Sequence, residues 1–152
     1  AREAVRADML FEAVLPLVRL QARKSGARIE VELPEPPPRA MCDRTMVEQV
    51  LLNLTRNGIQ AMEALGSAAD RRLLMRVRQV HPQWVEFSVV DAGGGIAPDV
   101  AQRLFTPFFT TRSEGMGLGL SLCRTVIEQH GGALDYATSA SGTGFVFTLR
   151  TP

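Results

Sequence analysis

Three groups of residues have the types and spacing to do chemistry. Asn53 and Asn57 stand four apart in a stretch whose apolar positions, Val47, Val50, Leu51, Leu54, Ala61 and Leu65, repeat with a helical period. Residues four apart share a helix face. Asparagine is a weak helix former, so two in mid-helix need a reason. Their amide oxygens suit a hard cation such as Mg²⁺ shared with phosphates; two solvated amides are the plainer alternative. Asp91 follows a strand pattern at 84–90 and has the parity of Val85, Phe87 and Val89, which puts a carboxylate on the buried face. A buried charge without partners is expensive. Asp91 therefore either caps the amides of the next turn or accepts a hydrogen bond from a ligand amine. Gly93, Gly94 and Gly95 behind it let backbone approach a flat ligand. The third group, Gly115-Met116-Gly117-Leu118-Gly119-Leu120, opens a helix pattern at 117–129. Free N–H groups at a helix start attract anions, and glycines let phosphates come close. A hinge is the plainer reading, and compatible with a lid. Together the groups supply a cation holder, an amine acceptor and a phosphate cradle, the parts of a nucleotide site.

Composition narrows the kind of site. Lys24 is the only lysine among 17 basic residues, and it ends a helix pattern in Arg23-Lys24-Ser25-Gly26. A P-loop needs Gly-Lys-Ser/Thr and a eukaryotic-type protein kinase needs a strand lysine. Both are excluded, as is Schiff-base chemistry. A net charge of +1 argues against nucleic acid as a partner. No apolar run reaches the roughly 18 residues of a membrane span, and no signal-peptide pattern opens the chain. The 152 residues suit a single domain, and 45% hydrophobic with 22% charged residues is the mix of a soluble globular protein. Cys42 and Cys123 are far apart, which favours free thiols in a reducing compartment. With His81 and His130 they lack the spacing of a zinc site. Gly119-Leu120-Ser121-Leu122-Cys123 lacks the second glycine of a hydrolase elbow. Ala1-Arg2-Glu3 is not an initiator start, so a longer parent is expected.

The elements that must position these groups can be read in order. Residues 1–7 form an extended lead-in. Asp8 caps a helix over 8–24 that stops at Gly26, with Pro16 inside it unexplained. Strand 29–33 alternates Ile29, Val31 and Leu33 with Glu30 and Glu32. A stiff proline loop follows, then a helix over 44–65 capped by Asp43. A polar turn over 66–72 leads to strands 73–80 and 84–90. Residues 92–116 form a long loop, which a compact domain tolerates only if it is functional. The helix over 117–129 stops at Gly131-Gly132. Strands 134–138 and 145–150 close the chain around the turn Ser141-Gly142-Thr143-Gly144. Each strand shows one apolar face. The fold class is therefore α/β (α+β), a two-layer sandwich with helices on one face of the sheet and water on the other.

The chain resembles the catalytic domain of bacterial sensor histidine kinases. Asn53-Leu54-Thr55-Arg56-Asn57-Gly58-Ile59-Gln60-Ala61 resembles their N box. Asp91-Ala92-Gly93-Gly94-Gly95-Ile96 is similar to the G1 box, Leu104-Phe105-Thr106-Pro107-Phe108-Phe109-Thr110-Thr111 to the F box, and Gly115 to Leu120 to the G2 box. Gly142-Thr143-Gly144 resembles the closing Gly-Thr element. The wording is nearest to the nitrogen-regulation and oxygen-sensor type. The resemblance implies the Bergerat ATP-binding fold of the GHKL superfamily, a mixed five-stranded sheet under three helices, with 1–152 as one domain and 92–116 as an ATP lid. It implies ATP and Mg²⁺ as cofactors. Asp91 would take the adenine amine, with Gly93, Gly95 and Ile96 giving the base room. Asn57 would hold Mg²⁺, with Asn53 beside it. Gly115, Met116, Gly117, Leu118, Gly119 and Leu120 would meet the phosphates. Phe105, Phe108 and Thr111 would belong to the lid, Arg112 would reach the γ-phosphate, and Thr143 would support the adenine end. Gly58 stands where the N box usually has alanine, a departure expected to weaken the helix slightly and change little else.

The implied activity is donation of the γ-phosphate to a histidine on a separate dimerisation and phosphotransfer domain, upstream of a response regulator. His81, beside Pro82, and His130, before Gly131, lack a phosphoacceptor context and are read as structural. The chain is then the catalytic half of a kinase. It is expected to be cytoplasmic, outside the membrane, monomeric when isolated and slow to hydrolyse ATP. The alternatives are a GHKL-type ATPase or a non-catalytic nucleotide-binding module. Such ATPases carry a glutamate base four residues before the metal asparagine, where this chain has Asn53; an amide cannot take a proton from water.

Overall fold

A computed structural model describes residues 1–63, 71–91, 119–139 and 142–152. They form seven strands and three helices in the order β1 (Glu3–Arg6), α1 (Ala7–Lys24), β2 (Arg28–Glu32), β3 (Arg39–Cys42), α2 (Arg44–Glu63), β4 (Arg72–His81), β5 (Trp84–Asp91), α3 (Gly119–Gln129), β6 (Leu134–Ser139) and β7 (Gly142–Arg150). The expected polar turn, apart from its last two residues, and the expected long loop lie outside the described residues.

The main sheet has the order β2-β4-β5-β7-β6. Its β2–β4 pair is parallel and the other pairs are antiparallel. Five strands in one mixed sheet match the expectation. A second, two-stranded sheet does not: β1 pairs with β3, antiparallel. The lead-in is therefore partly a strand, and β3 was not foreseen.

Side chains of alternating parity fill the space between sheet and helices. Leu73, Met75, Val85, Phe87, Phe147 and Leu149 are wholly buried. Phe87 stacks on Phe147 with centroids 4.9 Å apart, and Phe11 of α1 meets Phe87 edge-on at 6.2 Å. The other face carries ion pairs, Arg72 with Glu30 at 3.6 Å and Arg76 with Glu32 at 4.0 Å. One face is thus covered and one solvated.

The helices follow their apolar stripes. On α1 the buried residues are Ala7, Leu10, Phe11, Val14, Val18 and Ala22. The expected cap, Asp8, lies inside the first turn instead: Arg6 occupies the cap position and makes no side-chain cap. The Ala7 N–H donates to the Pro38 carbonyl at 2.9 Å, so β1 and the proline loop set where the helix begins. Asp8 is gripped by Arg6 at 2.6 Å. Pro16 is exposed, so the carbonyl it leaves unpaired can be hydrated. On α2 the expected cap is present: the Met46 N–H donates to Asp43 Oδ1 at 3.1 Å. α3 ends as expected at Gly131, whose φ is 81°.

His130 ties two helix ends together. Its Nδ1 donates to the Val126 carbonyl at 2.7 Å, and its Nε2 accepts from the Asp43 N–H at 3.0 Å. Arg2 also donates to the Gln129 carbonyl. The C-terminus of α3 is thus joined to the start of α2, which leaves His130 buried in a structural role.

The Met46 N–H holds the Asp43 carboxyl below the usual range. The Arg6 bond does the same for Asp8. Such groups bind protons less tightly folded than unfolded, so their stabilisation is present above about pH 4 and is lost as pH falls through the lowered folded value. Melting temperature should therefore fall between pH 5 and pH 3. Asp43→Asn, which keeps an accepting oxygen, should flatten part of that dependence in a series of thermal melts.

Candidate functional site

The site gathers where α2 crosses the end of β5. Asp91 closes β5 on the helix-facing side, and its residue is 6% exposed. Its neighbours across the strands are Leu73 of β4 and Thr143 of β7. The expected parity with Val85, Phe87 and Val89 is correct, since all three are buried. Thr143 is nearly buried too. It lies inside β7 rather than in the turn expected over 141–144. Gly144 beside it needs to lack a side chain: a Cβ there would stand 2.0 Å from the Val89 carbonyl oxygen. The two flanking glycines read as a turn signal, whereas Gly144 serves close strand packing.

Above Asp91 lies α2. A Cβ at Gly58 would come 2.7 Å from Leu73 Cδ1 and 3.5 Å from Asp91 Oδ2. This corrects the expectation that Gly58 changes little. A glycine in mid-helix costs about 1 kcal/mol against alanine, and here it admits Leu73 and the carboxylate. Thr55, buried on the same helix, donates to the Leu51 carbonyl at 2.8 Å, which satisfies its hydroxyl within the helix.

Asn53 and Asn57 are half-buried, one turn apart on α2. Asn53 Oδ1 lies 3.8 Å from the position a Cβ at Gly119 would take. The first described residue of the third motif therefore meets the first asparagine of the N box. Cys123, one turn on in α3, lies near enough to the Asn53 side chain for that amide to favour its thiolate slightly. Leu120 packs against the core. Sequence reasoning missed Cys123 and Leu73 as neighbours of the site. Their only signal was the apolar parity of each element. Gly93, Gly95, Ile96, Phe105, Phe108, Thr111, Arg112, Gly115, Met116, Gly117 and Leu118 lie outside the described residues.

The groups present fit a nucleotide. Asp91 offers an accepting carboxylate on an apolar face. Asn53 and Asn57 offer neutral oxygens of the kind hard cations accept. Asn53 stands beside Gly119, the first described residue of α3; the N–H groups that open a helix attract anions. No lysine takes part.

A protein-family model described as "Histidine kinase-, DNA gyrase B-, and HSP90-like ATPase" matches residues 42–152, more than half of the chain. The chain belongs to this family. Membership implies nucleotide binding. Among curated relatives, the C4-dicarboxylate transport sensor protein DctS of Rhodobacter capsulatus is 40% identical over 148 residues, covering 95% of this chain and 22% of DctS. Among solved structures, the catalytic domain of the histidine kinase ThkA superposes with a TM-score of 0.86 at 29% identity, covering 99% of this chain and 96% of that one. A complex of ThkA with the response regulator protein TrrA matches with a TM-score of 0.80 at 30% identity, over 99% of this chain and 42% of that one. Full-length ShkA in complex with AMPPNP matches with a TM-score of 0.80 at 28% identity, over 100% of this chain and 31% of that one. The fold is thus that of histidine kinase catalytic domains. The chain spans well under half of the curated relatives it matches. Among the described residues, no helix is long and apolar enough to cross a membrane.

Burial pushes the Cys123 thiol up to about 11, against a smaller opposing effect of the Asn53 side chain. Burial also raises Cys42 to about 11. Both thiols should then be inert in the native protein. At pH 8 only about a thousandth of each would be thiolate, against about a quarter of an ordinary cysteine. A thiol-labelling time course should show no fast reaction for the folded chain and two reactive groups after denaturation.

Proposed function

We propose that this chain is the ATP-holding, phosphoryl-donating domain of a sensor histidine kinase. One observation carries the reading: the Asp91 carboxylate is buried under α2 while Asn53 of that helix meets the start of α3. In this reading Asp91 accepts the adenine amine, with Thr143 supporting that end. The N–H groups that open α3 take the phosphates, helped by residues 115–118. Asn57 holds Mg²⁺ with Asn53 beside it. The cation, when bound, neutralises phosphate charge and draws electron density from the γ-phosphorus. Catalysis otherwise rests on positioning and charge stabilisation. The acceptor is a histidine on a separate dimerisation and phosphotransfer domain, and a response regulator takes the phosphoryl group next. The ThkA–TrrA complex supports that order. The AMPPNP bound to ShkA supports the nucleotide. Residues 92–116 serve as the lid, with Arg112 reaching the γ-phosphate. The isolated chain is a cytoplasmic-type monomer.

The ATPase alternative is weaker because, among the described residues, no carboxylate base stands at the position those ATPases use. Asn53 occupies the glutamate position, and Glu48, a nearby carboxylate on α2, is held by Arg44 at 3.1 Å.

Calorimetric titration with AMPPNP tests the reading. Binding should weaken in EDTA and fall at least tenfold in Asp91→Asn, about 1.4 kcal/mol or more. Undiminished binding in Asp91→Asn would overturn it. In a phosphate-release assay the native chain should turn over slowly, and Asn53→Glu should be faster. Rapid release by the native chain would favour the ATPase alternative.

A further inference from the structure

Gly58, Leu73 and Asp91 form one packed unit, and the arrangement bears on how the carboxylate is aimed. Leu73 and Asp91 are paired across β4 and β5, so their side chains stand on the same face. Leu73 is wholly buried. Its Cδ1 reaches to 2.7 Å from the point where a side chain on Gly58 would begin. A β-carbon at that point cannot coexist with that methyl group. It would also stand 3.5 Å from Asp91 Oδ2 and 3.6 Å from Asp91 Cβ. The leucine therefore occupies the volume that the glycine leaves empty. On its other flank Asp91 meets Thr143 across β7, and Gly144 there cannot carry a side chain. The β7 strand lies close against β5 there, and the α2 side of Asp91 is set by the fit between Gly58 and Leu73.

We propose that Gly58 and Leu73 are a coupled pair of positioning residues that set the direction of the Asp91 carboxylate, and with it the preference for adenine over guanine. This rests on the reading of Asp91 as the acceptor of a ligand amine. Adenine offers an exocyclic amine donor where guanine offers a carbonyl acceptor, so a carboxylate aimed at that position favours the first and repels the second. The preference depends on aim, because hydrogen bonds weaken steeply with angle. Alanine at residue 58 forces the buried Leu73 out of its place, and the leucine is the cross-strand neighbour of Asp91. Packed interiors feel a change of one methylene. Alanine there would also put a methyl group against the carboxylate on the side of α2. Replacing Leu73 by valine removes one methylene, the volume that Gly58→Ala adds. The double variant therefore conserves volume, the kind of swap that cores tolerate best.

The test is a set of calorimetric titrations with ADP and with GDP on the native chain, Gly58→Ala, Leu73→Val, the double variant and Asp91→Asn, with thermal melts of each. The native chain should prefer ADP, and Asp91→Asn should lose that preference. Gly58→Ala should weaken ADP binding about tenfold and lower the ADP-to-GDP preference. Leu73→Val should cause a smaller loss. The double variant should return to within about threefold of the native chain. A purely structural role predicts shifts in melting temperature with the preference unchanged; that result, or strictly additive effects in the double variant, overturns the pairing. If Gly58→Ala does not fold, Leu73→Val and the double variant decide by the same preference ratio. A native chain that binds neither nucleotide, or an Asp91→Asn variant that keeps the preference, overturns the amine-acceptor reading and the present inference with it. Intact, Asp91-dependent preference that Gly58→Ala leaves alone overturns the inference only.

Discussion

Removing a carboxylate from water costs several kcal/mol unless hydrogen bonds or charges replace the lost hydration. The chain buries such a group at Asp91, the last residue of β5, where other groups of the protein interact with it. Asp91 closes an otherwise apolar column, below Val89, Phe87 and Val85. The same column joins β5 to β7 through the stacked Phe87 and Phe147, and the sheet to α1 through the edge-on contact of Phe87 with Phe11. A polar group at the end of such a column is fixed in direction, because the packing beneath it has one arrangement. The rest of the site is arranged around that fixed point.

The helix α2 supplies the arrangement. One stripe, from Val47 to Met62, faces the sheet and sets the height of the helix above it. Gly58 lowers that height locally, over Asp91 and Leu73. One turn and a little more toward the N-terminus, Asn53 faces Gly119 and Cys123 of α3. The two asparagines and the glycine therefore lie between the carboxylate at one end and Gly119 of α3 at the other. α3 in turn is pinned at its far end, where His130 bonds the Asp43 N–H. That bond makes the start of α2 and the end of α3 a single unit. A shift of α3 along its axis would break it, so the amides opening α3 are held at a set distance from Asn53.

Much of this was legible in the residues. The strand parity of Asp91 required only counting by two from Phe87. The side-by-side placement of Asn53 and Asn57 required only the helical period. The Asp43 cap was visible as an acid before an apolar repeat. What escaped notice depends on contacts between distant parts of the chain. Arg39-Ala40-Met41-Cys42 is too short to show an alternating pattern, and β3 exists because β1 lies beside it. Asp8 looks like a cap by its position, yet the chain path from β1 starts the helix one residue before it. Gly142 and Gly144 look like a turn, because sequence cannot distinguish a glycine that bends the chain from one that lets another strand come close. Gly58 failed for the same reason. Its meaning lies in Leu73, fifteen residues away by number and in another layer.

An amide rather than a carboxylate at residue 53 bears on what the proposed site is for. A site that holds a phosphoanhydride by amides and neutral oxygens stabilises charge without activating water. Asn53 can accept and donate hydrogen bonds but takes no proton, and Glu48 is occupied by Arg44. A glutamate at residue 53 would place a proton acceptor beside the start of α3, and water there would become a competing nucleophile. An amide leaves the γ-phosphorus waiting for a nucleophile that arrives with its own reactivity. Neutral imidazole is such a nucleophile near pH 7, since a ring nitrogen keeps its lone pair without help from a base. In the proposed reading, the amide that withholds a base from water suits a domain whose substrate is carried by another part of a kinase. The chain's only lysine, Lys24, ends α1; in the proposed reading helix amides would hold the anion at a fixed place, with no flexible ammonium to compete with the incoming ring.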